Sequence, residues 1–204
     1  MLPAHGWFHG PVDPYAPVVL QSTCDPTAKP GVEAFRKLVL DAVGGGAGSI
    51  DRACPPAGAK PSEHAEGRAW DWAVRADVPE DVARVDTVLA WLLAPDEMGN
   101  AHAMFRRAGL QYIIWNGQIW SVRTKEWQPY TGPSPHTDHV HFTFGWDGAL
   151  GKTSLYQSGG VPTPGLPGSP PVELQKASPW GRVFAAASGV VIGFALVHWR
   201  QGRS

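Results

Sequence analysis

The sequence predicts an α+β domain with a mainly antiparallel sheet and its helices on one side. Three observations predict it. Helical and strand-like patterns are segregated along the chain rather than strictly alternating, which disfavours a parallel α/β sheet. Residues 110–115 and 118–122 flank Asn116-Gly117, the dipeptide that supplies the positive φ angles of a type I′ hairpin turn. Residues 79–94 place Val82, Val85, Leu89 and Leu92 on one stripe at helical spacing, with Glu80 and Asp81 in the first turn.

The remaining elements follow in order. Residues 1–20 contain prolines and aromatics without periodicity and read as an N-terminal arm. A helix is expected over 31–42, with Phe35, Leu38 and Val39 inward and Gly44-Gly45-Gly46 ending it. Residues 68–74 are β-like. Alternation puts Trp70, Trp72 and Val74 on one face and Ala69, Asp71 and Ala73 on the other. A short helix over 100–108 stops at Gly109. Residues 127–135 read as a loop leading into a last strand. There Val140, Phe142 and Phe144 face a core, while His139, His141 and Thr143 share the opposite face.

Two segments of this frame carry chemistry. The first, Ser62-Glu63-His64-Ala65-Glu66-Gly67-Arg68-Ala69-Trp70-Asp71, has the pattern S-x-H-x-x-G-x-A-x-D. The second is His136-Thr137-Asp138-His139-Val140-His141. An ionised Asp rarely sits in a Trp-rich strand unless it is paired or holds a metal. Together the segments offer two imidazoles and a carboxylate for a zinc ion, with a further Asp and His nearby to act as a base. Three such ligands leave a coordination position for water, and the cation lowers the pKa of that water towards neutrality. Gly67 is expected to make the turn that returns His64 towards Asp71. His5, His9, His102 and His198 lie outside these patterns and read as ordinary surface or core histidines.

These motifs resemble those of the zinc D-alanyl-D-alanine carboxypeptidase and dipeptidase group, whose wider fold includes lysostaphin-type enzymes and the hedgehog signalling domain. A little-characterised actinobacterial branch is the more similar, over about residues 21–156. The resemblance implies a hedgehog-like α+β fold and zinc bound by His64, Asp71 and His141. Asp138 matches the acidic base of a D-x-x-H motif, and His139 matches the first His of an H-x-H motif. Both patterns are satisfied at once, so the base is either residue, with Asp138 preferred. Arg52 is the candidate to meet a substrate carbonyl or carboxylate, with a structural salt bridge to Asp51 or Asp25 as the alternative. Ser62, Trp115 and His136 are the candidate substrate-binding residues. The implied activity is zinc-dependent hydrolysis of peptidoglycan stem peptides. The alternative is a non-catalytic zinc module of a wall, virion or envelope.

Composition limits the partners. The chain has 204 residues, 17% of them charged, with a net charge of -1, which gives no basic field for nucleic acid. Ten tryptophans leave some to line a groove after Trp70, Trp72 and Trp91 are assigned to the core. Cys24 and Cys54 are the only cysteines, and an even pair in a wall-directed enzyme predicts a disulfide. Four segments are expected: the arm 1–20, the zinc peptidase-like domain 21–157, a Pro/Gly/Ser linker 158–179, and an apolar helix 180–204. Residues 183–199 are almost wholly apolar, which predicts a membrane anchor whose Gly189 and Gly193 could support self-association. The N-terminus lacks a secretory signal pattern. The expected location is therefore the cell envelope, either membrane-anchored or delivered with a virion as a phage lysin.

Overall fold

A six-stranded antiparallel sheet, in the order β1-β2-β6-β3-β4-β5, forms the centre of the computed structural model. The structure describes residues 1–157 except 9, 57, 58, 60 and 61. The chain divides into two units, Met1–Pro171 and Val172–Ser204, and every described residue belongs to the first. Its main elements are α1 (Pro30–Val43), β1 (Gly46–Ser49), β2 (Ala69–Ala73), α2 (Pro79–Leu93) and α3 (Ala103–Arg107). They continue with β3 (Leu110–Trp115), β4 (Gln118–Ser121), β5 (Trp127–Pro129), β6 (Val140–Phe144), α4 (Trp146–Ala149) and α5 (Ser154–Gln157). The class is α+β, as the segregated patterns predict.

Helix positions follow from local chemistry. Both long helices begin with proline, whose fixed φ suits the first turn and whose missing N–H costs nothing there. The apolar stripes of α1 and α2 then bury Phe35, Val39, Val85, Val88 and Leu92 completely. Phe35 is the hub of this layer: its ring packs edge-on against Trp70, Phe142 and Phe144 and stacks with Trp91. One face of β2 and β6 is thus sealed by aromatics from the helices, and Asp71, His141 and Thr143 are left to the other face. The core indoles are also satisfied, since Trp70, Trp72 and Trp91 donate to the carbonyls of Ala47, Gly44 and Pro3.

The β3–β4 hairpin forms where Asn-Gly predicts it, with φ of 46° at Asn116 and 73° at Gly117. Two strands escape the sequence patterns. β1 is a four-residue edge of Gly, Ala and Ser with no apolar alternation, and β5 is a three-residue edge paired with β4. The expected helix at 100–108 is shorter, because His102 takes a left-handed conformation and α3 starts only at Ala103. The described residues among 1–20 lie along the domain as a strap. Arg106 donates to Asp13, Arg107 to Gly10, and Arg68 to Val19, each at a backbone carbonyl.

The membrane reading requires correction. Among the described residues no helix is long and apolar enough to cross a membrane. The longest, α2, has 15 residues, about 22 Å of helix against a hydrocarbon core of about 30 Å. The segment on which the expectation fell, 180–204, and the linker 158–179 lie outside the described residues. The transmembrane helix, the membrane as a partner, the helix-mediated self-association and the anchored envelope location are accordingly withdrawn.

Cys24 and Cys54 form a disulfide, with Cα atoms 5.7 Å apart and a sequence separation of 30. It ties the segment after β1 to the segment between the strap and α1. Closing a loop of that length stabilises by roughly 3–4 kcal/mol on the chain-entropy model. Cys54→Ser should therefore lower the unfolding free energy by about that amount in urea titrations. Equal denaturation midpoints for oxidised wild type and Cys54→Ser would show that the crosslink contributes nothing.

Candidate metal centre

The sheet register creates the centre. Asp71 of β2 and His141 of β6 are directly opposed across an antiparallel pair, on the face turned away from the helices. Directly opposed side chains lie about 5 Å apart at Cβ, close enough to share an ion. His64 arrives from a 3-10 turn, Glu63–Glu66, which ends at Gly67 with φ 63°. A Cβ on Gly67 would sit 1.9 Å from the Thr27 carbonyl oxygen, so only glycine lets the turn close against the segment before α1.

Three ligand atoms meet. His64 Nε2 lies 3.1 Å from Asp71 Oδ1 and 3.3 Å from His141 Nδ1, and His141 Nδ1 lies 2.8 Å from Asp71 Oδ1. A tetrahedral site with bonds of about 2.0–2.1 Å has edges of about 3.3 Å, so the spacing is that of three corners of one coordination sphere. The outer hydrogen bonds present the correct atoms. His64 Nδ1–H donates to the Ile50 carbonyl at 2.8 Å, which leaves the Nε2 lone pair facing inward. His141 Nε2 meets Thr143 Oγ1 at 2.8 Å, a hydroxyl that can accept its proton and so leave the Nδ1 lone pair facing the same point. Two imidazole lone pairs and a carboxylate oxygen facing one another call for a cation. His64, Asp71 and His141 are thus a candidate metal-binding triad.

Electrostatics agree with that arrangement. Burial pushes the Asp71 carboxyl up, but the contacts with His141 and His64 outweigh it and hold Asp71 well below the usual carboxylate range. Burial lowers the affinity of His141 for a proton more than neighbouring Asp71 raises it, so the ring is favoured in its neutral, ligating form.

The other expected residues are distributed unevenly around the triad. His139 is close, with Nε2 3.6 Å from Asp71 Oδ1. Asp138 lies behind it: its Oδ1 accepts from His139 Nδ1 at 2.8 Å, and its side chain is 73% exposed. The His139 hydrogen bond holds the Asp138 pKa down. Arg52 reaches the site, with Nη2 3.7 Å from Asp71 Oδ2 and Nη1 3.4 Å from Ser62 Oγ. Ser62 thereby helps to place Arg52. His136 is buried, and its ring centre is 4.7 Å from that of His139 and 5.7 Å from that of His141. Its φ is 52°, an uncommon conformation for histidine. Backbone bonds from Asn116 N to the His136 carbonyl and from Gly117 N to the Pro135 carbonyl hold this loop against the hairpin tip. Trp115 is not at the centre and lies on the helix side of the sheet. Beside the His139 end an open cleft of about 510 Å³ is bounded by Arg75, Asp77, Ser134, Thr137 and Asp138.

Sequence reasoning missed the support beneath the triad. Tyr112 stacks on His141 at 5.6 Å between ring centres and donates to Glu63 Oε2 at 2.9 Å. Burial, followed by the charge of Glu63, raises the Tyr112 pKa and keeps it a donor. Glu63, Glu66 and Arg68 are all buried within the first motif. The signal was present as three charged residues in a short stretch that also enters a core strand.

The chain matches the family of the VldE C-terminal domain over residues 24–141, more than half of its length. It belongs to that family. The matched stretch includes both cysteines, Arg52, the triad, Asp138 and His139. No curated protein and no solved structure matches the chain.

Proposed function

We propose that this protein is a zinc-dependent peptidase that hydrolyses peptidoglycan stem peptides, the activity its motifs imply. The observation that supports the reading best is the convergence of His64, Asp71 and His141 with His139 immediately beside them and Asp138 behind. A donor set of two imidazoles and one carboxylate, with no thiolate, suits zinc. Zinc in such a set lowers the pKa of a water in the remaining position and polarises a substrate carbonyl.

The surrounding side chains then have separable tasks. Asp138 accepts the Nδ1 proton of His139 and fixes the ring so that Nε2 faces the Asp71 side. His139 Nε2 is the atom placed to take a proton from the attacking water and return it to the leaving amine. Asp138 orients that base, which exchanges the roles expected from the motif. Arg52 supplies a fixed positive group for the carbonyl oxygen or a substrate carboxylate. Burial lowers the His136 pKa, and with Nδ1 donating to the Ser134 carbonyl its ring is neutral and available to the substrate.

The test is digestion of purified peptidoglycan by the zinc-loaded protein, with and without chelator, followed by mass spectrometry of the products. New amine and carboxyl ends that vanish with chelator are expected. His139→Ala should keep its zinc and lose turnover by about 100- to 10,000-fold, with a smaller loss for Asp138→Asn. Zinc-loaded wild type that releases no peptide fragments would refute the peptidase. An active His139→Ala beside an inactive Asp138→Asn would return the base to Asp138.

A further inference from the structure

On the helix side of the sheet, away from the triad, a groove of about 440 Å³ runs between α2 and the β3–β4 hairpin with β5. Its volume lies within the range of small-molecule sites, about 300–1,000 Å³. Trp115, Trp127 and Leu89 form its apolar lining, and Asp86, Asn116 and Gln118 stand around them. The polar three are exposed, and among the described residues their side chains make no hydrogen bond or ion pair within the chain. The indole nitrogens of Trp115 and Trp127 likewise have no partner among the described residues, in contrast to the core indoles of Trp70, Trp72 and Trp91.

We propose that this groove binds a short chain of pyranose sugars bearing acetamido groups. A pyranose has an apolar C–H face and a rim of hydroxyls, so it needs a flat aromatic partner flanked by hydrogen-bonding groups. An indole supplies the first and keeps an N–H donor at its edge. Asn, Gln and Asp supply paired donors and acceptors that match adjacent hydroxyls and the acetamide. Leu89 supplies an apolar surface for the acetamide methyl. An apolar helix laid in the groove would strand Asp86, Asn116 and Gln118 against it, at a cost for each polar group left without a partner. The hairpin tip also links the groove to the metal centre, since Asn116 lines the groove and its backbone N–H is bonded to the His136 carbonyl at 2.9 Å. On the peptidase reading proposed above, a sugar chain held here would lie one loop away from the bound peptide.

Titration of the whole protein with chitotetraose, followed by tryptophan fluorescence and calorimetry, tests this directly. Saturable binding is expected, tighter than that of cellotetraose, which lacks the acetamides. Trp127→Ala should weaken it at least about tenfold. Asp86→Ala, an exposed change on α2 that leaves the sheet intact, should weaken it severalfold. Asp138→Asn, at the metal end, should match wild type, so binding is read independently of any peptidase activity. No saturation at millimolar sugar, or equal affinity in wild type, Trp127→Ala and Asp86→Ala, would overturn the proposal.

Discussion

Asp71→Ala should purify without metal. In wild type the Asp71 oxygen sits 2.8 Å from His141 Nδ1 and 3.1 Å from His64 Nε2, and it is the only anion of the triad. Its removal leaves two imidazoles and no anion in the set. Losing an outer partner of a metal ligand typically costs about 10- to 100-fold in affinity, so losing a ligand should cost at least about 100-fold. The side chain is 16% exposed, and alanine already precedes and follows the neighbouring tryptophans of β2, so the strand should tolerate the change. Elemental analysis after dialysis is the measurement, with circular dichroism to establish that the sheet persists. Near-stoichiometric metal in a folded Asp71→Ala protein would remove Asp71 from the ligand set.

What made this centre legible was periodicity combined with donor chemistry. Alternation placed Asp71 and His141 on the faces opposite Trp70 and Phe142, and that alone brings them together once β2 and β6 pair. The pairing itself was not legible, because β6 lies between β2 and β3 across long separations in sequence. For the same reason the placement of Asp138 behind His139 could not be read: two adjacent residues point in directions that only the strand entry decides. The face taken by Trp115 could not be read either, because a place beside the hairpin turn gives no sign of it. β1 and β5 were invisible because strands of three or four residues, at edges, have no room for a pattern. The terminal apolar run lies outside the described residues. A window of hydropathy has the same appearance in a membrane span and in other settings, so composition could not decide it.

The second large effect expected lies beneath the site rather than in it. Arg68 has no solvent exposure. Its Nε donates to Glu66 Oε2 at 2.6 Å, Nη1 to the Phe144 carbonyl at 2.9 Å and Nη2 to the Val19 carbonyl at 2.7 Å. Glu66 is equally buried and accepts from Ser22 N, Thr23 N and Thr23 Oγ1. Burial works against its charge, but the Ser22 and Thr23 amides together with Arg68 keep its pKa below the ordinary value, so Glu66 is ionised. Arg68→Met would fill much of the volume and leave that anion without its cation. Breaking a buried pair from one side costs about 3–5 kcal/mol, much more than an exposed pair would. For a domain of this size the midpoint should fall by roughly 10 °C. The loss should extend to the metal, because Glu63 and Glu66 bound the turn that carries His64 and Tyr112 joins Glu63 to the His141 ring. Adding Glu66→Gln to Arg68→Met should recover part of the stability, since the stranded charge is then gone. Urea denaturation of the three proteins, each with its metal content measured, separates these outcomes. If Arg68→Met unfolds at the same urea concentration as wild type, the network does not hold the turn and the placement of His64 must come from the backbone alone.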